Sequence, residues 1–216
     1  MAKVVVALDV DEVLNADNNG GVVHSLAVKK EHLPKSPFIL SKGEKDFEIQ
    51  VTLVPAHGEW INSLLARGHE VVWATTWENA ANVYLAPLLG IPSLPLGVSI
   101  KDHPPKFAWA KGGDSAAWKA HALGERYADP STALVWVDDS AGRYDRDSTI
   151  STRDMLLAEG WTEEELAEMG PFYSYFIRSG PTLIVVPPTR TREGNRGLTD
   201  EHIADIEAWI TKVSEL

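Results

Sequence analysis

Two aspartates one residue apart close the first apolar run of the chain. The stretch "VVVALDVDEVLN", residues 4–15, has five apolar residues, then Asp9 and Asp11, and then apolar residues again. On a strand, residues i and i+2 point to the same side, so the two carboxylates would repel each other unless something compensated their charge. Water at a strand end is the simplest compensation, and a bound cation is the chemically interesting one.

Similar polar groups follow two later apolar runs. Thr75 and Thr76 end "EVVWATT", and Asp138 and Asp139 end "ALVWVDD". Lys119 lies in "SAAWKAHALGERYA", which has helical spacing and precedes the second of these runs. Ligands of open α/β sheets bind beyond the carboxyl ends of the strands, so these side chains are candidates for one shared site.

Two acidic pairs in one place would need a hard cation between them. Mg²⁺ prefers oxygen ligands, and when few carboxylates bind it, it keeps waters and accepts a substrate phosphate. Hydroxyl and ammonium groups would then bind the remaining phosphate oxygens. A carboxylate that faces the phosphorus can act as nucleophile, and a second one can protonate the leaving oxygen and later deprotonate water. Residues of these types, if brought together, would suit Mg²⁺-dependent chemistry on a phosphate group.

The apolar runs also predict the fold that would position these residues. "VVVAL", "EVVWATT", "ALVWVDD" and "PTLIVVPP" lack a polar face, which is typical of buried parallel strands. Helical spacing lies between them in "HGEWINSLLARG", "ENAANVYLAPLLG" and "SAAWKAHALGERYA", and Thr199 is the predicted N-cap of a terminal helix. The alternation predicts an α/β fold: a Rossmann-like three-layer sandwich with a mostly parallel sheet and helices on both sides.

Residues 16–53 interrupt this alternation. They contain paired glycines, two prolines and apolar/polar alternation in "FILSKGEKDFEIQVTLV" around a "KGEKD" turn. This pattern predicts a β-hairpin. The predicted organisation is therefore a single domain of residues 1–216 with a small cap insertion at about 16–53.

Composition limits the classes of function. The 216 residues include 44% hydrophobic and 24% charged residues, which is typical of one folded domain. The net charge of −11 repels polyphosphate backbones, so we expect no strong non-specific binding of nucleic acid. The chain has no cysteine, which excludes thiol catalysis. The apolar run before Asp9 is too short for a signal peptide or a membrane span, so we expect a cytoplasmic protein with no membrane partner.

The four polar groups resemble the motifs of the haloacid dehalogenase (HAD) superfamily. "LDVDEVLN" resembles its motif I, "VVWATTW" its motif II, Lys119 its motif III and "LVWVDDS" its acidic motif IV, in the family's order over residues 4–140. "WATTWENAAN", the "WVDD" strand and "GLTDEHIADIEAWI" are also similar to small HAD-domain proteins of bacteria and phages, some of whose relatives are associated with RNA-repair proteins.

The resemblance implies roles for the four aspartates. Asp9 matches the nucleophile and a Mg²⁺ ligand, and Asp11 matches the general acid/base, whose backbone carbonyl also reaches the metal. Asp139 is the preferred direct metal ligand of motif IV and Asp138 its partner, although the two could exchange roles. Many family members have Gly after the second aspartate, where this chain has Glu12.

The resemblance also implies phosphate-binding groups. Thr75 matches the phosphate-binding hydroxyl, with Thr76 as the alternative. Lys119 matches the lysine that neutralises the phosphate and the nucleophile, and Lys106 and Lys111 are its rivals. The small cap would leave the site open, which suits a nucleotide or a nucleic-acid end as the phosphorylated substrate.

Other classes of function fit less well. A receiver domain would have its lysine after the last acidic group, and a P-loop NTPase would need G-x-x-x-x-G-K-S/T, which is absent from the sequence. A catalytically silent HAD-fold binding module and a phosphatase of small metabolites are the two alternatives that stay open.

Aromatic and histidine residues are further candidates for the site. Trp77 follows the motif II threonines and could line the mouth of the site. Four other tryptophans are expected in the core: Trp60, Trp118, Trp136 and Trp209. Four histidines are expected at the surface or at helix caps: His24, His57, His103 and His121.

Overall fold

The computed structural model describes residues 4–16, 20–33, 46–102, 115–144, 157, 162–164, 180–188 and 197–215. In chain order, the strands of this part are β1 (Val4–Leu8), β2 (Val22–Val28), β3 (Phe47–Leu53), β4 (Glu70–Trp73), β5 (Ala133–Val137) and β6 (Thr182–Val185). The α-helices are α1 (Pro55–Ala66), α2 (Ala86–Leu89), α3 (Ser115–Arg126) and α4 (Asp200–Ser214). Among the described residues, no helix has the length and apolar character needed to cross a membrane.

Four of these strands form an all-parallel sheet. Their order across the sheet is β4-β1-β5-β6, so β1 has a parallel neighbour on each side. The β1 and β5 residues are all buried, which explains their continuous apolar sequences. The predicted α/β class with parallel strands is confirmed.

The sheet separates two hydrophobic cores. Val6 and Leu8 of β1 pack with residues of α1 and α4, whereas Val5 and Ala7 pack with residues of α3. Alternate residues of a strand point to opposite faces, so helices cover both faces of the sheet, as predicted. This layout is compatible with a Rossmann-like arrangement.

The helices begin and end at the residues that the sequence indicates. Pro55 opens α1, where its missing N–H would have had no partner. The predicted helix after β4 starts with a π-helical turn, Ala81–Leu85, and α2 then ends at Gly90, whose φ of 66° places it in the left-handed region. Thr199 caps α4, and its hydroxyl accepts the N–H of His202.

Strands β2 and β3 form a separate antiparallel pair. Val22 pairs with Leu53 and Val28 with Phe47, so β3 is paired along its full length with β2. The sequence pattern places the first strand of the predicted hairpin at residues 38–41, directly before the "KGEKD" turn, and these residues lie outside the described part. The pairing of β3 with β2 was not predicted.

This pair, β2 with β3, is joined to the main sheet by side-chain contacts at two places. Asn15 follows β1, and its Oδ1 accepts the N–H of Thr52 in β3 at 2.9 Å. The Tyr84 hydroxyl in the π-helical turn accepts the N–H of Lys29 at 2.7 Å, directly after β2. The pair is therefore held at the loop that follows the two N-terminal aspartates.

The tryptophans and one histidine occupy the core. Trp60, Trp118 and Trp136 are buried and Trp209 is partly buried, as predicted. His57 is only 3% exposed, so its prediction as a surface or capping residue was wrong. It lies in the first turn of α1, and its Nε2 donates to the carbonyl of Leu198 at 3.0 Å. His24 and His121 are half-exposed, and His103 lies outside the described residues.

Candidate active site

Backbone hydrogen bonds continue past the ends of the central strands. The N–H of Asp9 donates to Val137 O at 3.0 Å, and the N–H of Asp138 donates to Val185 O at 3.1 Å. Both aspartates are therefore fixed in the register of the sheet although they follow the last residue of their strands. Because β1 and β5 are neighbours, their carboxyl ends bring the two acidic groups together.

Lys119 lies between these two carboxylates. Its Nζ is 2.6 Å from Asp9 Oδ2 and 2.7 Å from Asp138 Oδ2. All three side chains are buried, and Lys119 comes from α3, which packs on the sheet. Two charge-assisted hydrogen bonds from one ammonium make this the most tightly linked group of charges at the end of the sheet.

Burial affects the pKa of Asp9 more strongly than the charge of Lys119 does. The pKa of Asp9 is raised to about 7, chiefly by desolvation and also by the charge of Asp138, against the opposing charge of Lys119. For Lys119, burial alone would lower the pKa, but the carboxylates of Asp9 and Asp138 raise it above its ordinary value. The lysine is therefore a permanent cation, whereas Asp9 needs more positive charge nearby to stay fully ionised at neutral pH.

Asp139 completes a group of three carboxylates. One oxygen from each of Asp9, Asp138 and Asp139 lies within 4.8 Å of the others. Asp139 is half-buried, and both desolvation and the charge of Asp138 raise its pKa. Three carboxylates and one ammonium leave a formal charge of −2, and the donors are all hard oxygen atoms. This donor set fits a divalent cation of the Mg²⁺ type.

Asp138 and Asp139 are oriented by the residue that follows them. The N–H of Ser140 donates to Asp138 Oδ1 at 2.9 Å, and its hydroxyl donates to Asp139 Oδ2 at 3.1 Å. With Lys119 on its other oxygen, Asp138 has both oxygens bound by the protein, whereas Asp139 is the more accessible of the two. Of the two, Asp139 therefore has the more available oxygen for a cation.

Asp11 lies on a tight turn beyond the end of β1. The N–H groups of Leu14 and Asn15 both donate to Val10 O, at 2.9 and 2.8 Å, which closes the turn. Glu12 has a φ of 62°, in the left-handed region that glycine adopts at least energetic cost. Glutamate is thus accommodated at this position with backbone strain, and the residue is exposed.

The carboxylate of Asp11 is exposed but bound on both oxygens. Asn15 Nδ2 lies 3.2 Å from Asp11 Oδ1, and Trp77 Nε1 lies 2.9 Å from Asp11 Oδ2. This carboxylate is separate from the group formed by Asp9, Asp138 and Asp139. The predicted metal contact of Asp11 is made by its backbone carbonyl. The group of three carboxylates is defined by side-chain oxygens alone, so this contact stays a prediction.

The two threonines differ in burial. Ala74, which precedes Thr75, donates its N–H to Leu8 O at 2.8 Å, so Thr75 lies at the same edge of the sheet as Asp9. Thr75 is buried and its Oγ1 accepts the N–H of Trp77 at 3.3 Å, whereas Thr76 is half-exposed. The rival lysines Lys106 and Lys111 lie outside the described residues.

Sequence reasoning missed two residues that orient the candidate site, Asn15 and Ser140, and it missed the contact of Trp77 with Asp11. Trp77 was expected to line the mouth, but only 8% of it is exposed and its N–H is bound to Asp11. Serine directly after two aspartates was the one usable pattern, since short polar side chains commonly close turns at such positions.

Comparison of the chain with protein-family models, with curated proteins and with solved structures found no significant match. We therefore infer the function from the geometry and chemistry of the described residues.

Proposed function

We propose that this protein is a Mg²⁺-dependent phosphatase of the HAD type that works through an aspartyl-phosphate intermediate on Asp9. The observation that carries this proposal is the buried Lys119, which binds Asp9 and Asp138 beside a third carboxylate, Asp139. A lysine placed in this way can neutralise a nucleophilic carboxylate and an incoming phosphate together.

Asp9 is the proposed nucleophile. Its Oδ1 accepts the N–H of Val10 at 2.8 Å and its Oδ2 accepts from Lys119, so the carboxyl plane is fixed. One carboxylate oxygen forms the new bond to phosphorus while the bond from phosphorus to the leaving oxygen breaks. Fixing the plane beforehand lowers the entropy that must be lost on reaching the reacting geometry.

Asp9 and Asp139 are the proposed direct Mg²⁺ ligands among the side chains, and Asp138 is their proposed partner beside the ion. When bound, the ion would supply positive charge that keeps Asp9 ionised and offsets the charge of the phosphate oxygens. The raised pKa of Asp9 supports this role, because it indicates that one ammonium is too little charge for three neighbouring carboxylates.

Asp11 is the proposed general acid/base. In the first step it donates a proton to the leaving oxygen, and in the second it takes a proton from the water that attacks the phosphorus. The bond between phosphorus and Asp9 then breaks, phosphate leaves, and Asp11 is protonated again. Its exposure supports this role, because both the leaving group and the water must reach it from solvent.

Thr75 and Lys119 are the proposed phosphate-binding groups. Because Thr75 Oγ1 accepts the N–H of Trp77, its own proton can be donated to a phosphate oxygen. Lys119 adds a permanent charge. Thr76, which is half-exposed, is the weaker candidate.

The pair of β2 and β3 is the proposed small cap. It is bound to Asn15, which also contacts the general acid/base, so it lies close to the entrance that Asp11 occupies. A two-stranded cap of this size supports an open site and a phosphorylated substrate such as a nucleotide or a nucleic-acid end. A small metabolite is the alternative substrate class.

The test is hydrolysis of p-nitrophenyl phosphate with and without Mg²⁺. We expect Mg²⁺-dependent turnover that is lost in Asp9→Asn and kept in Asp205→Asn, which changes an exposed aspartate on α4. Turnover by Asp9→Asn at the unaltered rate would contradict the proposed nucleophile.

A second measurement separates the enzyme from the silent binding module. If no phosphate ester is hydrolysed and Mg²⁺ with a fluoride mimic of phosphate leaves the melting temperature unchanged, the phosphatase proposal is wrong. The binding-module alternative would then replace it.

A further inference from the structure

The indole of Trp77 connects the hydrophobic core with the exposed Asp11. Trp77 belongs to the core cluster that contains residues of α1 and α4, and its Nε1 lies 2.9 Å from Asp11 Oδ2. The indole N–H can only donate, so this contact has one possible direction. A buried ring has little rotamer freedom, which makes it a rigid donor.

The backbone on both sides of Trp77 is also fixed. Its N–H donates to Thr75 Oγ1 at 3.3 Å, and its carbonyl accepts the N–H of Ala80 at 3.0 Å. Glu78, the next residue, has a φ of 45° and accepts the N–H of Ile100 with its carboxylate. A non-glycine residue in this conformation persists only where its surroundings hold it, so the turn that presents Trp77 is under strain.

The side chain of Asp11, in contrast, is exposed and depends on few contacts for its position. It lies on an exposed turn, and its other contact is a 3.2 Å bond from the side chain of Asn15, which is itself only half-buried. An exposed aspartate with a single solvent-accessible partner would sample several rotamers. Trp77 is the buried donor that selects one of them.

We propose that Trp77 is a positioning residue that fixes the carboxyl group of Asp11 for proton transfer to the leaving oxygen. This inference rests on the proposed phosphatase function, in which Asp11 is the general acid/base. Trp77 acts through Asp11 and need not contact the substrate, since its ring is buried.

The leaving group gives the proposal a specific readout. A dinitrophenolate leaves without a proton, whereas an alkoxide of high pKa needs one from Asp11. Loss of the indole N–H should therefore lower kcat/KM, which reports the phosphorylation step, for an alkyl phosphate and spare kcat/KM for 2,4-dinitrophenyl phosphate. A change that merely weakened folding or phosphate binding would affect both substrates alike.

The main variant is Trp77→Phe, which keeps an aromatic ring and removes the N–H. We expect kcat/KM for the alkyl phosphate to fall about tenfold or more and kcat/KM for the dinitrophenyl ester to stay within about threefold, whereas kcat for both esters falls where breakdown of the aspartyl phosphate limits it. If Trp77→Phe folds poorly, 3-benzothienylalanine at position 77 replaces the N–H with sulfur in a ring system of the same shape.

The matched control is Trp60→Phe. Trp60 is also buried, 7% exposed, and its Nε1 also donates to a carboxylate, Glu207 Oε1 at 2.9 Å, but this contact lies between α1 and α4. Trp60→Phe should lower the melting temperature and leave the ratio of the two kcat/KM values unchanged.

A double-mutant cycle with Asp11→Asn tests the coupling directly. If Trp77 acts through Asp11, Trp77→Phe causes no further loss of alkyl phosphate turnover in the Asp11→Asn background. Independent losses that multiply would overturn the positioning role. The ¹⁵N–¹H resonance of the Trp77 indole gives a readout without turnover, and we expect it to shift in Asp11→Asn.

The experiments distinguish failure of the positioning role of Trp77 from failure of the proposed phosphatase function. If the unaltered chain hydrolyses both esters but Trp77→Phe lowers kcat/KM equally for both, the positioning role is overturned and the phosphatase function stands. If the unaltered chain hydrolyses neither ester, the function is overturned and this inference with it.

Discussion

The ammonium of Lys119 donates a 2.6 Å hydrogen bond to Asp9 Oδ2, although 110 residues separate the two in the sequence. Both side chains are buried, and the same ammonium binds Asp138 at 2.7 Å. Each carboxylate would be strongly destabilising in this place without a cation. The contact therefore links the stability of the sheet end to the chemistry proposed there.

Replacement of the lysine should destabilise the fold. In Lys119→Met, the carboxylates of Asp9 and Asp138 stay buried without their partner, so we expect the free energy of unfolding to fall by about 3–5 kcal/mol at neutral pH. Urea denaturation measures this change. Lys101→Met, at an exposed position, is the control, and equal stability of the two variants would argue against a buried charge cluster.

Mg²⁺ should stabilise the protein through the three carboxylates. An ion that binds the folded state alone adds about 2.7 kcal/mol at a concentration 100-fold above its Kd, so the melting temperature rises with Mg²⁺. Asp139→Asn should reduce this rise, whereas Asp205→Asn should leave it intact. Thermal unfolding at constant ionic strength measures both, and an undiminished rise in Asp139→Asn would exclude this residue as a ligand.

Gly197 fits closely against the loop that follows β1. A Cβ on Gly197 would lie 2.5 Å from both Val13 O and Ala16 Cβ, and its φ is +53°. We expect Gly197→Ala to lose about 2–4 kcal/mol of stability from overpacking and backbone strain together. The control is Gly68→Ala, where φ is +82° but a Cβ would meet no described atom within 4 Å, so only strain of about 1 kcal/mol is expected.

The same glycine variant should also affect catalysis. Val13 and Ala16 flank the turn that carries Asp11, so displacement of this loop should lower turnover of alkyl phosphates more than Gly68→Ala does. Steady-state kinetics on both variants at a temperature where each is folded gives the comparison. Equal activity would indicate that the loop tolerates the shift.

His57 should make stability depend on pH in the mildly acidic range. Burial lowers its pKa, against smaller opposing effects of the Leu198 carbonyl and Asp200. The unfolded histidine takes up a proton near pH 6.5 while the folded one stays neutral, so the free energy of unfolding falls as the pH drops below about 6.5. Stability from this group is fully present above that pH.

The variant His57→Gln isolates this contribution. Glutamine can still donate to the Leu198 carbonyl but does not titrate, so we expect a smaller loss of stability between about pH 6.5 and 5. His24→Gln, at a half-exposed position on β2, is the control. Urea denaturation over this range would contradict the assignment if the His57→Gln curve kept the slope of the unaltered chain.

The sequence was sufficient for the parts of the site that depend on the sheet. Asp9 and Asp138 follow apolar runs that could only be buried strands, and the ends of neighbouring parallel strands must meet at one edge. Lys119 could be placed on a helix next to the last of these strands, although its contacts with both carboxylates required the packed structure.

The sequence was not sufficient to predict contacts that depend on tertiary packing. The bond from Trp77 to Asp11 depends on the turn at Glu78 and on the rotamer of a buried ring, neither of which has a sequence pattern. His57 is buried because the start of α4 packs over α1, a contact between residues 141 positions apart. The pairing of β3 with β2 was not predicted, because alternation predicts a strand but leaves its register and neighbour open.

The proposed mechanism requires Asp9 to carry the phosphoryl group during turnover. Acid quenching of the protein with substrate and Mg²⁺, reduction of acyl phosphates with borohydride and mapping of the modified peptide by mass spectrometry would detect this intermediate. We expect Asp9 to be converted to homoserine only when substrate and Mg²⁺ are both present. Turnover without any reduction at Asp9, or with reduction at Asp138 instead, would contradict it.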